Sequence, residues 1–133
     1  MSKKILIIED DPGTTRFLVY TLEQEGYKVL SAEDGLEGLK KARDEHPDLI
    51  ILDIMLPGMD GYEICHRLRQ KPETRTVPVL IVSGRARQDD KNIGLRMGAD
   101  DYLSKPVDPQ TILAKVETML AATKEIVFGK SRY

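Results

Sequence analysis

Three uninterrupted aliphatic stretches, ILII at 5–8, LIIL at 49–52 and VLIV at 79–82, set the strongest limit on what this chain can become. A strand with one wet face alternates apolar and polar residues, whereas a strand covered on both faces has no reason to. Runs this short and this uniform are therefore read as parallel strands sandwiched between helices. YKVLS at 27–31 and DYLS at 101–104 are weaker strand candidates.

The intervening segments carry helical spacing and helix-boundary residues. Asp11-Pro12 reads as N-cap and first helical residue, with Phe17, Leu18, Thr21 and Leu22 facing inward and Gly26 as the stop. A second helix is predicted over 35–44, with Leu36, Leu39 and Ala42 facing in. Asp60 and Glu63 have the spacing of a capping box at the start of a third, which reaches about Gln70. A fourth covers 88–97 and is closed by Gly98. The fifth opens at Asp108-Pro109 and carries Ile112, Leu113, Val116, Met119 and Leu120 at helical spacing. Strand and helix thus alternate five times, which predicts an α/β fold of right-handed βαβ units, with a parallel sheet between two helical layers.

With 133 residues, 41% hydrophobic and 32% charged, the chain suits one compact domain. Periodicity fades from about Ala121, so 1–122 is read as the domain and 123–133 as a tail, either frayed or leading into a linker. A formal charge of −2 gives no general attraction to nucleic acid or an anionic membrane, leaving proteins and small ions as expected partners. The single Cys65 excludes an internal disulfide and fits a reducing compartment, and the first apolar run is too short for a signal peptide or membrane span. A cytoplasmic location is expected.

In open α/β sheets, ligands bind beyond the carboxyl ends of the strands. Here those ends carry Glu9, Asp10 and Asp11 after the first strand, Asp53 after the third, Ser83-Gly84 at the fourth, and Ser104, Lys105 and Pro106 at the fifth. Taken alone, three acids before Pro-Gly make an ordinary turn. If the first and third strands are neighbours, however, Glu9, Asp10 and Asp53 crowd together, and each pair about 4 Å apart repels by about 4 kcal/mol at an effective dielectric near 20. Hard oxygen donors, few in number and with room for water and phosphate, suit Mg²⁺ better than a closed Ca²⁺ cage or a Zn²⁺ site. Lys105 is suited to hold a phosphate oxygen.

IIEDD at 7–11, LDIMLPGMDG at 52–61, VLIVSG at 79–84 and GADDYLSKP at 98–106 together resemble the signature stretches of the receiver domain of two-component response regulators, over about residues 3–122. That resemblance implies a doubly wound, flavodoxin-like sheet of five strands in the order 2-1-3-4-5 with five helices. It also implies that Asp53 accepts a phosphoryl group from the histidine of a sensor kinase or a histidine phosphotransfer protein. By the same carry-over, Asp10, Asp53 and the backbone carbonyl of Met55 ligate Mg²⁺, with Mn²⁺ the alternative ion, while Glu9 acts through water. Ser83 and Lys105 then bind phosphate oxygens, and the Lys105-Pro106 bond is cis. Ser83 and Tyr102 are the switch residues, and the surface of the fourth helix, fifth strand and fifth helix is the readout for a downstream protein target. The expected protein is a signalling module that catalyses its own phosphorylation and dephosphorylation rather than an enzyme, either monomeric or a weak phosphorylation-dependent dimer. A single-domain regulator is the first expectation. A receiver cut from a longer regulator and a phosphorylation-independent scaffold are the alternatives.

Two residues depart from the commonest family pattern. Glu9 stands in place of aspartate, and Gly84 in place of alanine, with Arg85 and Arg87 following it. Met55 and Arg85 each stand two residues beyond a site residue, positions that flank the phosphoryl group in receivers, so the resemblance implies that they influence its lifetime. A phosphatase with an aspartyl nucleophile needs a second aspartate at position 55, where this chain has methionine, and no GxxxxGK[ST] loop follows the first strand to hold a nucleotide. His46 and His66 lack metal-ligand partners at useful spacing, Cys65 reads as a small buried hydrophobe, and Pro57-Gly58 reads as a type II turn.

Overall fold

The computed structural model describes residues 2–84 and 88–130, with side chains for all of these except 88–91 and 123–130. Five strands, β1 (Lys4–Ile8), β2 (Lys28–Ala32), β3 (Leu49–Leu52), β4 (Val79–Ser83) and β5 (Asp101–Ser104), alternate with five helices. The helices are α1 (Pro12–Glu23), α2 (Gly35–Glu45), α3 (Gly61–Gln70), α4 (Gln88–Arg96) and α5 (Pro109–Lys130). All four strand pairings are parallel, in the order β2-β1-β3-β4-β5.

The aliphatic runs are continuous because their residues serve two cores in turn. Leu6, Ile8, Ile50, Leu52, Val79 and Ile81 face one layer, where they meet Ala42, Ile64 and Leu68. Ile5, Ile7, Leu49, Ile51, Leu80 and Val82 face the other, against Leu18, Leu22, Ile112 and Val116. Each fully buried aliphatic side chain contributes about 1.5–3 kcal/mol of transfer free energy, so a polar residue anywhere in the three runs would be costly.

Helix starts follow the predicted caps at α1, α3 and α5, and Asp34, which was not among the predicted caps, opens α2 in the same way. The carboxylates of Asp11, Asp34, Asp60 and Asp108 accept the N–H groups of Thr14, Glu37, Glu63 and Thr111 at 2.7–2.9 Å. At α3 the predicted capping box is realised through Asp60, while the Glu63 carboxylate is turned toward Arg67, 3.0 Å away. Gly58, in the Pro57-Gly58 turn, has a φ of +81°, the left-handed conformation that a type II turn requires at that position.

One expectation is corrected. Leu36 is 69% exposed rather than inward, because α2 lies on the sheet through Gly35, Gly38 and Ala42 instead. A Cβ at Gly38 would sit 2.6 Å from Ile8 Cδ1, so the missing side chain is what allows the close approach. The helical backbone of α5 runs to Lys130, past Ala121, where the apolar periodicity of the sequence fades. Ala121, Ala122, Lys124 and Glu125 are strong helix formers, which favours a helical backbone there. Among the described residues, no helix is long and apolar enough to cross a membrane.

Candidate functional site

The parallel register carries the ends of β1, β3, β4 and β5 to one edge of the sheet. Glu9 N–H donates to the Ala32 carbonyl and Asp53 N–H to the Ile8 carbonyl, both at 3.0 Å, so each acid is fixed by the neighbouring strand. Lys105 N–H donates to the Ser83 carbonyl at 2.7 Å, which ties the residue after β5 to the end of β4. The Lys105-Pro106 bond is cis, as the resemblance implied.

This framework divides the EDD triplet. Asp11 caps α1, receiving the N–H and hydroxyl of Thr14 at 2.8 and 2.7 Å, and these bonds hold its carboxyl below the usual carboxylate range. Glu9 and Asp10 instead join Asp53, and one carboxylate oxygen from each lies within 4.8 Å of the others. Glu9 and Asp53 are 4% and 6% exposed, while Asp10 is open to solvent. Three hard oxygen donors on a half-open site form a donor set suited to a small divalent cation that keeps some of its water.

One cation already sits in the cluster. Lys105 Nζ lies 2.8 Å from Glu9 Oε1 and 3.5 Å from Asp53 Oδ2. Burial pushes the Glu9 carboxyl above its usual range, and the Asp53 charge adds to this, although the bonds from Lys105 and the Asp11 N–H pull the other way. For Lys105, burial acts against the charge, but the Glu9 hydrogen bond and the two carboxylate charges outweigh it and hold the ammonium protonated. Asp53 Oδ1 accepts a long hydrogen bond from the Met55 N–H, at 3.4 Å, which brings the Met55 backbone beside the cluster while its side chain stays 63% exposed.

Ser83 is fully buried at the β4 end, and Gly84 is exposed with open space where a Cβ would stand. Arg85 and Arg87 lie outside the described residues. Tyr102, predicted as a switch, is not in the cluster; it is 6% exposed in the core layer that packs under α2, α3 and α4. A Cβ at Gly94 of α4 would lie 2.9 Å from Ile81 Cδ1 and 3.5 Å from both the Tyr102 and Tyr62 rings, so the glycine lets α4 close onto Ile81 with the two tyrosines in contact beside it. Cys65 is buried, with its thiol pushed by burial to about 11, and His66 is exposed, in keeping with non-catalytic roles for both.

Sequence reasoning missed Gly61. A Cβ there would stand 2.5 Å from the Asp53 carbonyl oxygen and 2.7 Å from Ile54 Cα, so only glycine lets α3 start directly against the Asp53 backbone. Its signal was a glycine placed just after a helix cap, where glycine has no intrinsic advantage in the helix.

The profile described as "Response regulator receiver domain" matches residues 5–117. Among curated relatives, the chain is 46% identical over 120 residues to the alkaline phosphatase synthesis transcriptional regulatory protein PhoP of Bacillus subtilis, covering 90% of this chain and 49% of that protein. It is 42% identical over 118 residues to protein PilH of Pseudomonas aeruginosa, covering 89% of this chain and 98% of that one. Among solved structures, a CheY-like response regulator receiver domain protein from Methanospirillum hungatei JF-1 superposes with a TM-score of 0.88 at 33% identity, covering 94% of this chain and 98% of that chain. The chain therefore spans about half the length of some curated relatives (49% for PhoP) and nearly all of others (98% for PilH).

Proposed function

The chain belongs to the response regulator receiver domain family, and on that premise we propose that Asp53 accepts a phosphoryl group from a phosphohistidine donor in a Mg²⁺-dependent reaction. The observation that carries this reading is the placement of Asp53: buried at a central strand end, among two further carboxylates and 3.5 Å from the Lys105 ammonium.

An Asp53 carboxylate oxygen attacks phosphorus as the bond from phosphorus to the donor nitrogen breaks, and the electron pair stays on the imidazole. Phosphoryl transfer of this kind needs positioning and charge neutralisation more than covalent help. Bound Mg²⁺ would neutralise phosphoryl oxygens, held by Asp10, Asp53 and the Met55 carbonyl. Lys105 pairs with a second phosphoryl oxygen and the Ser83 hydroxyl donates to a third. The modified site gains a charge of about −1.5 to −2 and three strong acceptors. The donor is a sensor histidine kinase or a histidine phosphotransfer protein, and the output is the binding of a downstream protein rather than a released product. The reading holds equally for a receiver of the length of PilH, covered to 98%, and for one that is part of a longer regulator such as PhoP, covered to 49%.

Mg²⁺ is expected to stabilise the fold by RT ln(1 + [Mg²⁺]/Kd), about 1.4 kcal/mol at tenfold excess over Kd, which is about 5 °C in Tm for a domain of this size. Asp10→Asn is expected to melt at or above the wild-type temperature in EDTA and to lose that Mg²⁺ increment. Thermal melts with and without Mg²⁺ decide it; a variant that still responds fully would put the metal elsewhere.

Phosphorylation is further proposed to shift the α4-β5-α5 surface. A complete reversal of a two-state equilibrium from 1:99 to 99:1 takes about 5.5 kcal/mol, which three charge-assisted hydrogen bonds of about 1.5–3 kcal/mol each can approach and one cannot. Because Tyr102 is already buried, the expected response is a change in its packing against Gly94 rather than the inward rotation of an exposed ring. NMR of the free protein and its beryllofluoride adduct should show amide shifts reaching Tyr102, α4 and α5. Shifts confined to the loops bearing Asp10, Asp53 and Lys105 would defeat the switch.

A further inference from the structure

Glu9 is the residue whose observed contacts its expected role does not explain. An acid that reached a metal only through water would keep an oxygen turned to the half-open mouth of the site. Here each Glu9 oxygen already accepts one bond from within the site: Oε2 from the Asp11 N–H at 3.1 Å and Oε1 from Lys105 Nζ at 2.8 Å. The side chain is 4% exposed, so neither bond is a solvated surface contact. Lys105 meanwhile stands 3.5 Å from Asp53, beyond a strong charge-assisted hydrogen bond, which is about 2.7–2.9 Å.

We propose that Glu9 is a positioning residue for Lys105, holding the ammonium off the Asp53 acceptor oxygen so that the metal and the phosphoryl group enter without first displacing a cation. This rests on Asp53 being the phosphoacceptor. A nucleophilic carboxylate that also carried a tight ammonium bond would have part of its charge withdrawn, and the ammonium would occupy space that the incoming phosphorus needs. Glutamate fits this task through its length. Anchored at the end of β1 and pinned by the Asp11 N–H, its extra methylene carries the carboxylate to an ammonium that arrives from β5, with β3 and β4 between the two strands. The Lys105 backbone is fixed by its bond to Ser83, so the side chain has a defined root and a choice of two acids. Once the phosphoryl group is in place, its oxygens are closer competitors for the ammonium, and Lys105 leaves Glu9 for them.

Two measurements test the assignment. In the metal-free wild-type protein, NMR of the lysine ammonium groups should show a hydrogen-bond scalar coupling from Lys105 Nζ to the Glu9 side-chain carboxyl carbon. Coupling to Asp53 alone, or none to Glu9, overturns the proposal without reference to phosphorylation. The second is a Mg²⁺ titration by calorimetry of four proteins: wild type, Glu9→Gln, Lys105→Met and the double variant. If Glu9 keeps Lys105 away from Asp53, Glu9→Gln releases the ammonium onto the metal ligand. Mg²⁺ affinity should then fall at least threefold more in the presence of Lys105 than in the Lys105→Met background. Equal losses in the two backgrounds would mean that Glu9 acts on the metal independently of Lys105, and the proposal fails. Failure of the phosphoacceptor reading is separate: it would appear as label outside Asp53 in the wild-type protein, with the ammonium coupling unchanged.

Discussion

Asp53→Asn is expected to carry no acid-stable, base-labile phosphate after incubation with acetyl phosphate and Mg²⁺, against near-stoichiometric label on the wild type. The other acids at the sheet edge are unsuited to replace it. Asp11 is occupied as the cap of α1, and each Glu9 oxygen already accepts a bond, one from Lys105 and one from the Asp11 N–H. Asp10 is exposed, and among the described residues no ammonium is ion-paired with it as Lys105 is with Asp53 at 3.5 Å. The amide of asparagine has nearly the shape of the carboxylate but no charge with which to attack. Removing that charge also relieves repulsion within the cluster, so the variant should remain folded and the loss of label should be a chemical effect. Phosphate mapping by mass spectrometry decides the matter, and label persisting undiminished in the variant would sink the assignment.

Gly61→Ala should lose more stability than alanine at any other described glycine whose added Cβ meets only side chains or open space. The new Cβ would meet two backbone atoms, the Asp53 carbonyl oxygen at 2.5 Å and Ile54 Cα at 2.7 Å, and neither can turn away as a side chain could. Overpacking typically costs about 1–3 kcal/mol and exceeds that where backbone must move, so about 3 kcal/mol is expected from a total of about 5–15. Relief requires α3 to withdraw from β3, which displaces the Asp53 backbone and should reduce phosphorylation in the molecules that remain folded. Gly84→Ala is the control, since a Cβ there has open space within 4 Å, and its stability should stay within about 0.5 kcal/mol of wild type. Chemical denaturation of both variants is the measurement. A Gly61→Ala protein as stable as Gly84→Ala would show that the start of α3 is not held against β3 in solution.

Local signals were legible in the sequence because their causes are local. The period of ILII, LIIL and VLIV, the Asp-Pro starts of α1 and α5, and the turn at Pro57-Gly58 depend on residues a few positions apart, and each is realised in the structure. The site was legible because strand ends in a parallel sheet converge, so the acids after β1 and β3 and the lysine after β5 had to share one edge. Packing decided the rest. Leu36 has the hydrophobicity of a core residue yet points outward, because the face of α2 that can come close to Ile8 is the one with glycine at 38. Gly61 was silent for the same reason, since its importance lies in the backbone of a different element. Nor could spacing reveal that Lys105 would bond to Glu9, 96 residues away, in preference to Asp53, 52 residues away. Sequence determines which groups reach the edge of the sheet; which pair forms there depends on differences of less than 1 Å that only the packed tertiary structure sets.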